Sequence, residues 1–170
     1  MLAVPMPPDR PWRERHVLFR EIPDGLRHAL PDQFHGFTYR PRGGSLAQLY
    51  FDEPLIHFEV AFHWKNGLVE LGFHFEKDAD TNERLFSEFD RQIVAIKAEL
   101  GESIDLERWD RGWTRLYECW PCDRVDPPFR AELVKRLGRI IASLQPIYES
   151  VKLEPANVGR DAISRIAARP

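Results

Sequence analysis

Two His-Phe-Glu tripeptides, His57-Phe58-Glu59 and His74-Phe75-Glu76, flank an Asn66-Gly67 pair. Imidazoles and carboxylates can share a proton or a divalent cation once the chain brings them to one surface. The sequence between them supplies a way to do so, because apolar and polar residues alternate on both sides of the Asn-Gly. Asn-Gly between alternating runs is the strongest short-range signal for a two-residue type I′ hairpin turn, in which both turn residues take positive φ. That turn predicts Lys65 opposite Leu68. The apolar pairs are then Trp64 with Val69, Phe62 with Leu71, Val60 with Phe73 and Phe58 with Phe75. The polar face pairs His63 with Glu70, Ala61 with Gly72, Glu59 with His74 and His57 with Glu76. A slip of one residue would mix the two sets, so turn chemistry and side-chain period agree on which residues share a face.

Directly opposed Cβ atoms lie about 4.5–5.5 Å apart, close enough for His57, Glu59, Glu70, His74 and Glu76 to interact across the strands. One reading makes them a ligand, metal or acid–base site. The other makes them cross-strand charge pairs on a partly wet sheet, each Glu raising the pKa of its His. The small pair Ala61 and Gly72 predicts a shallow trough at the centre of this face, filled by a ligand or by another part of the chain. Arg115 and Tyr117 alternate onto one side of a later strand and are candidates to line that trough. Arg115 would pair with Glu70 or Glu76, or, if unpaired, would suit an anionic ligand.

Other chemistry-bearing strings are weaker. Cys119-Trp120-Pro121-Cys122 resembles a redox pair in spacing, but a reactive first cysteine sits at a helix N-terminus, and here the next helix opens only after Asp126. These are read as reduced structural cysteines. Arg130, Lys135, Arg136 and Arg139 form a modest basic stripe, read chiefly as the solvated face of a helix and alternatively as a nucleic-acid contact. Glycine-rich phosphate loops, Ser/His/Asp strings and H-E-x-x-H are absent from the sequence.

The elements that must position these residues follow from pattern and punctuation. Residues 1–11 read as a flexible leader, 12–153 as a single α+β domain, and 154–170 as a tail or short helix. Trp12 to Phe19 is a short strand or helix, and Pro23, Gly25 and Pro31 predict mostly loop after it. Pro41-Arg42-Gly43-Gly44-Ser45 is a break, and Leu46 to Phe51 a strand. Asp80 is the expected N-cap of a helix, with Glu83 completing a capping box; its stripe is Leu85, Phe86, Phe89, Ile93, Ile96 and Leu100, and Gly101 stops it. Trp113 to Trp120 is a strand. A second long helix starts at Asp126-Pro127-Pro128 and carries Phe129, Leu133, Leu137, Ile140, Leu144, Tyr148 and Val151, with Pro146 expected to kink it or to mark its last turns. The expected fold is an antiparallel meander of about three to five strands, covered on one face by two long amphipathic helices.

With 170 residues and a net charge of −3, the chain is long enough for one sizeable core and is not basic enough for wholesale nucleic-acid binding. No apolar run approaches the roughly 20 residues of a membrane span. The expectation is a cytoplasmic protein.

Val69-Glu70-Leu71-Gly72-Phe73-His74-Phe75-Glu76, Asn82, Glu99-Leu100-Gly101, Trp113-Thr114-Arg115 and Gln145-Pro146 resemble uncharacterised bacterial domains of unknown function. More distantly, the first long helix, its glycine stop and the Trp/Arg strand resemble a C-terminal domain of some restriction-system proteins. The resemblance covers about Leu46 to Tyr148. It implies the architecture and a setting near nucleic acid or defence systems, and it transfers no catalytic residue. The leading functional expectation is a non-enzymatic module that binds a protein partner or small ligand as a homodimer, with no cofactor and no metal assigned. The alternative is a metal-dependent hydrolase using the His/Glu face of the 56–76 hairpin.

Overall fold

The computed structural model describes residues 14–153, so the leader and the tail lie outside the described residues. Six antiparallel strands form one sheet in the order β1-β2-β3-β4-β6-β5: β1 (Thr38–Arg42), β2 (Leu46–Tyr50), β3 (Ile56–His63), β4 (Leu68–Phe75), β5 (Asp105–Arg108) and β6 (Thr114–Pro121). Strands β1 to β4 are a meander, and β6 returns to pair with β4 inside the edge strand β5. Three helices, α1 (Arg15–Ala29), α2 (Ala79–Leu100) and α3 (Pro127–Leu153), supply the rest. The α+β class with an antiparallel sheet is as expected; six strands and three helices replace the smaller expected set.

The helix count differs because packing overrides punctuation in α1. Leu18, Phe19, Ile22 and Leu26 are buried along one stripe, with Phe19 edge-on to Phe62, and this holds a helix through Pro23. Gly25 is no breaker here: an added Cβ would lie 2.7 Å from Val134 Cγ1, so glycine lets α1 and α3 approach closely. Strand β1 also escapes the pattern, because Pro41 lies in an edge strand, where a missing N–H is tolerated. Strand β5 is charged and short. Helix α2 begins earlier than Asp80: Asp78 is the N-cap, accepting the Thr81 backbone N–H at 2.9 Å. Glu83 pairs with Arg108 instead of closing a capping box. Gly101 stops α2 at φ 103°, and α3 continues through Pro146 to Leu153.

The hairpin keeps the predicted faces but not the predicted register. His57 faces His74, Phe58 faces Phe73, Glu59 faces Gly72 and Ala61 faces Glu70, so every partner moves by two positions. The cause is the loop. Asn66 N–H donates to the His63 carbonyl at 2.9 Å, and Gly67 alone takes positive φ, 62°. The connection is therefore four residues, Trp64 to Gly67, built on an ordinary turn with one left-handed glycine, in place of a two-residue type I′ turn. A shift of two leaves each side chain on its face. Phe58 stacks on Phe73 at 4.1 Å, and Phe73 and Phe75 meet Phe89 of α2 and, for Phe73, Tyr148 of α3.

One buried charged pair lies on the helix-covered side. Glu118 faces Leu71 in the sheet and receives Arg136 of α3 through two hydrogen bonds of 2.7 and 2.8 Å, with Ser103 and Trp120 completing its shell. Burial alone would raise the Glu118 carboxyl, but Arg136, Ser103 and Trp120 hold it below the usual carboxylate range. A depressed folded pKa gives stability that is complete above the unfolded value of about 4.3 and is lost as pH falls through the folded one. Arg136→Ala is expected to lower the unfolding free energy by about 3–5 kcal/mol at pH 7, since it strands a buried carboxylate, and by less at pH 3. Urea denaturation at both pH values measures this, and equal midpoints for the variant and the native chain would deny the pair that role.

Candidate functional site

The opposite sheet face carries the residues singled out at the start. His57 and Glu59 come from β3, Glu70 and His74 from β4, and Arg115 and Tyr117 from β6, with Glu76 just beyond β4. Antiparallel pairing sets His57 beside His74 and His74 beside Arg115. The aromatic contacts from the helices lie on the other side, against Phe62, Phe73, Phe75 and Trp120. Even so, His57 and His74 are each 1% exposed and Glu70 is 3% exposed, because neighbouring side chains lie over them.

Glu70 is the hub. Its carboxylate meets His74 Nε2 at 3.1 Å, His63 Nε2 at 3.0 Å and Arg115 Nη1 at 2.9 and 3.0 Å. These partners outweigh burial, which alone would raise its pKa, and hold it below the usual range. Arg115 extends to Glu107 at 3.3 Å, and its guanidinium lies 4.4 Å from the Trp109 ring centroid and 4.0 Å from that of Tyr117. The contact with Glu107 and burial push the Tyr117 phenol up to about 12. Of the two readings for Arg115, pairing with Glu70 is the one observed.

The trough at Ala61 and Gly72 is filled from within. These residues do not face each other, and the His74 ring lies over Gly72 so closely that an added Cβ would meet Nε2 at 2.6 Å. Glycine at 72 is what lets His74 fold back onto Glu70.

The two histidines are held differently. His57 Nδ1 lies 2.9 Å from the Pro54 carbonyl, which can only accept, so the proton is assigned to Nδ1. Its Nε2 then accepts from the Gln48 amide at 3.0 Å, and Gln48 also donates to Glu59 at 3.1 Å. His74 donates through Nε2 to Glu70. Its Nδ1 is buried without a hydrogen-bond partner, 3.6 Å from Glu76 Oε1. Burial opposes the His74 imidazolium, but the Glu70 hydrogen bond, Glu76 and the charge of Glu59 prevail and lift its pKa from 6.5 to about 9. Burial likewise would raise the Glu59 carboxyl, yet contact with His57 and Gln48 and the charge of His74 keep it low. His57, His74 and Glu76 each offer one ligand atom, all within 4.8 Å of one another.

Sequence reasoning missed Gln48, Glu107 and Trp109, and it gave Asn82 no role beyond the resemblance. The alternation of β2 could have placed Gln48 on the polar face; Trp109, in the β5–β6 loop, gave no periodic signal. The Asn82 side chain bonds both backbone groups of Lys77 and the Gly112 carbonyl, tying the α2 entry to the loop that carries Trp109. Of the remaining motifs, Cys119 lies on this face, opposite Glu70 in the β4–β6 register, and the rest separate from it. Cys119 and Cys122 are unbridged, and burial raises both thiols, Cys122 to about 11, opposite to what thiol reactivity needs. The basic stripe disperses: Arg136 is buried on Glu118, Arg130 pairs with Glu21 and Arg139 donates to the Glu99 carbonyl.

Comparisons with models of known protein families, with curated proteins and with solved structures find no match. The roles of these residues rest on geometry alone.

Gly72→Ala is expected to cost about 1–3 kcal/mol by driving His74 off Glu70, read by thermal or urea unfolding. NMR titration of the His74 ring is expected to find it charged at neutral pH with a midpoint near 9. Because the folded pKa is the higher, its stabilisation is present below about 6.5 and is lost as pH rises through the folded value. Glu70→Gln should move the midpoint down.

Proposed function

We propose that the chain is a non-enzymatic binding module whose uncovered sheet face takes a small polar ligand, with His57, Glu59, Glu70, His74, Glu76, Arg115 and Tyr117 as the binding residues and Trp109 as its aromatic rim. One observation carries this reading. His74 Nδ1, Trp109 Nε1 and Arg115 Nε are buried polar atoms without hydrogen-bond partners, and on this face the Trp109 ring lies against both His74 and Arg115. Unmet buried polar atoms are few in native proteins, and their concentration at one place supports a ligand or bound water there. Aromatic surfaces beside a few fixed polar groups are the usual composition of small-molecule sites.

The hydrolase alternative draws support from the His57, His74 and Glu76 cluster. The ionised Glu59 and Glu70 are suited to take a proton from a metal-bound water. Binding without catalysis is preferred because the unmet polar atoms centre on Trp109 and Arg115, which that chemistry does not use. Pairing of two copies belongs to the same proposal, as does a setting inside the cell. Among the described residues no helix is long and apolar enough to cross a membrane.

Chemical-shift mapping with a fragment library of amines, carboxylates and nucleosides, run with chelator present, tests the surface. Shifts are expected at His57, His74, Trp109 and Arg115, and should be abolished by Trp109→Ala. Shifts confined to the groove between α1 and α3, at Gly25 and Val134, would overturn the assignment. Sedimentation equilibrium that finds only monomer at high concentration would remove the dimer and leave the ligand surface standing.

A further inference from the structure

We infer that His57, His74 and Glu76 form a binding site for one divalent transition-metal ion of the zinc, cobalt or iron(II) kind. The site lies within the proposed ligand surface and uses its His57, His74 and Glu76, but binding of the ion does not require the small ligand.

The first support is the arrangement around each imidazole. A metal-bound histidine almost always engages its second ring nitrogen with a carbonyl or carboxylate, which fixes the ring and raises its basicity. Both rings already have that partner: His57 Nδ1 on the Pro54 carbonyl at 2.9 Å and His74 Nε2 on Glu70 at 3.1 Å. What remains on each ring is the opposite nitrogen. On His57 that is Nε2, met only by the Gln48 amide and, at 3.5 Å, by Glu59. On His74 it is Nδ1, enclosed within the protein, lacking any hydrogen bond and nearest to Glu76.

The second support is placement. His57 and His74 are Cα partners in adjacent strands, which fixes their separation through the sheet ladder and not through loop conformation. Glu76 is anchored by its own backbone N–H on the Leu55 carbonyl at 2.8 Å, and it is only partly buried, so it opens the site to solvent. Charge agrees: Glu59, Glu70 and Glu76 surround the two rings, and Arg115 is engaged by Glu70 and Glu107. Two imidazole nitrogens and one carboxylate are a borderline donor set that suits zinc, cobalt or iron(II) and disfavours calcium or magnesium, which take oxygen ligands. Three protein ligands also leave a coordination position for water.

The rings stack 5.5 Å apart with 18° between their planes. Tetrahedral ligands at 2.0–2.1 Å from zinc would stand only about 3.4 Å apart. The candidate ligand atoms lie within 4.8 Å of one another, so metal entry draws them together and takes the His57 ring off its Gln48 or its Pro54 contact. Displacement of a proton from His74 accompanies this step.

Cobalt(II) titration of chelator-stripped full-length protein, followed by d–d absorption and by calorimetry, tests the site. The expected result is one ion per chain with a four- or five-coordinate spectrum and competition by zinc. Glu76→Gln, at the partly exposed edge, should weaken binding at least tenfold, and His57→Ala should abolish it. His28→Ala, on the exposed side of α1, should leave it unchanged. Absence of cobalt uptake by the native protein would overturn the inference, as would uptake that survives both Glu76→Gln and His57→Ala in variants with native circular dichroism. Fragment binding in chelator is read separately, so either result stands without the other.

Discussion

A carboxylate almost fully withdrawn from water is the constraint to which the polar side of this sheet answers. Glu70 stays ionised there only because His63, His74 and Arg115 surround both oxygens. Removing a charge from water costs several kcal/mol, so those partners are obligatory and their positions are fixed with it. From this one requirement follow the fold-back of His74 over Gly72 and the seating of Arg115 between Trp109 and Tyr117. The stacked arrangement of His74 on His57 follows as well.

The helix-covered side obeys different physics. Phenylalanines from β3 and β4 stack and meet α2 and α3, and the aromatic contacts account for the order of the layers. A second buried ion pair, Glu118 with Arg136, ties β6 to α3 within that apolar layer. Each face of the sheet thus contains one fully enclosed carboxylate with its own arginine. Such pairs contribute little net stability compared with apolar residues of the same size, but they make wrong registers expensive by leaving a charge unpaired. Asn82 joins the two sides by fastening the α2 entry to the loop bearing Trp109.

The β3–β4 hairpin separates what sequence pattern can reach from what it cannot. Alternation placed Phe58, Val60, Phe73 and Phe75 inside and His57, Glu59 and His74 outside, because side-chain period is a local property of any strand. Turn length was not local in the same way. Asn-Gly favours a two-residue turn, yet the chain closes over Trp64 to Gly67, where Trp64 stacks on Phe62 and Gly67 accepts the Cys122 N–H. The Cys122 contact comes from a residue distant in sequence, which the dipeptide's own preference does not anticipate. The same reasoning covers α1, whose Pro23 and Gly25 read as loop until a stripe against Phe62 and Val134 is in place.

The sequence by itself determined the class of fold, the two sheet faces, the long helices with their glycine stop and proline start, and the set of His, Glu, Arg and Tyr residues that gather on the polar side. These depend on periodicity and backbone geometry, which neighbouring residues dictate. Tertiary structure alone decided that His57 meets His74 and not Glu76, that Arg136 belongs to the core, and that the expected trough is closed by an imidazole. Each of these turns on burial and on which charges must find partners, quantities that exist only once strands and helices distant in the chain have come together.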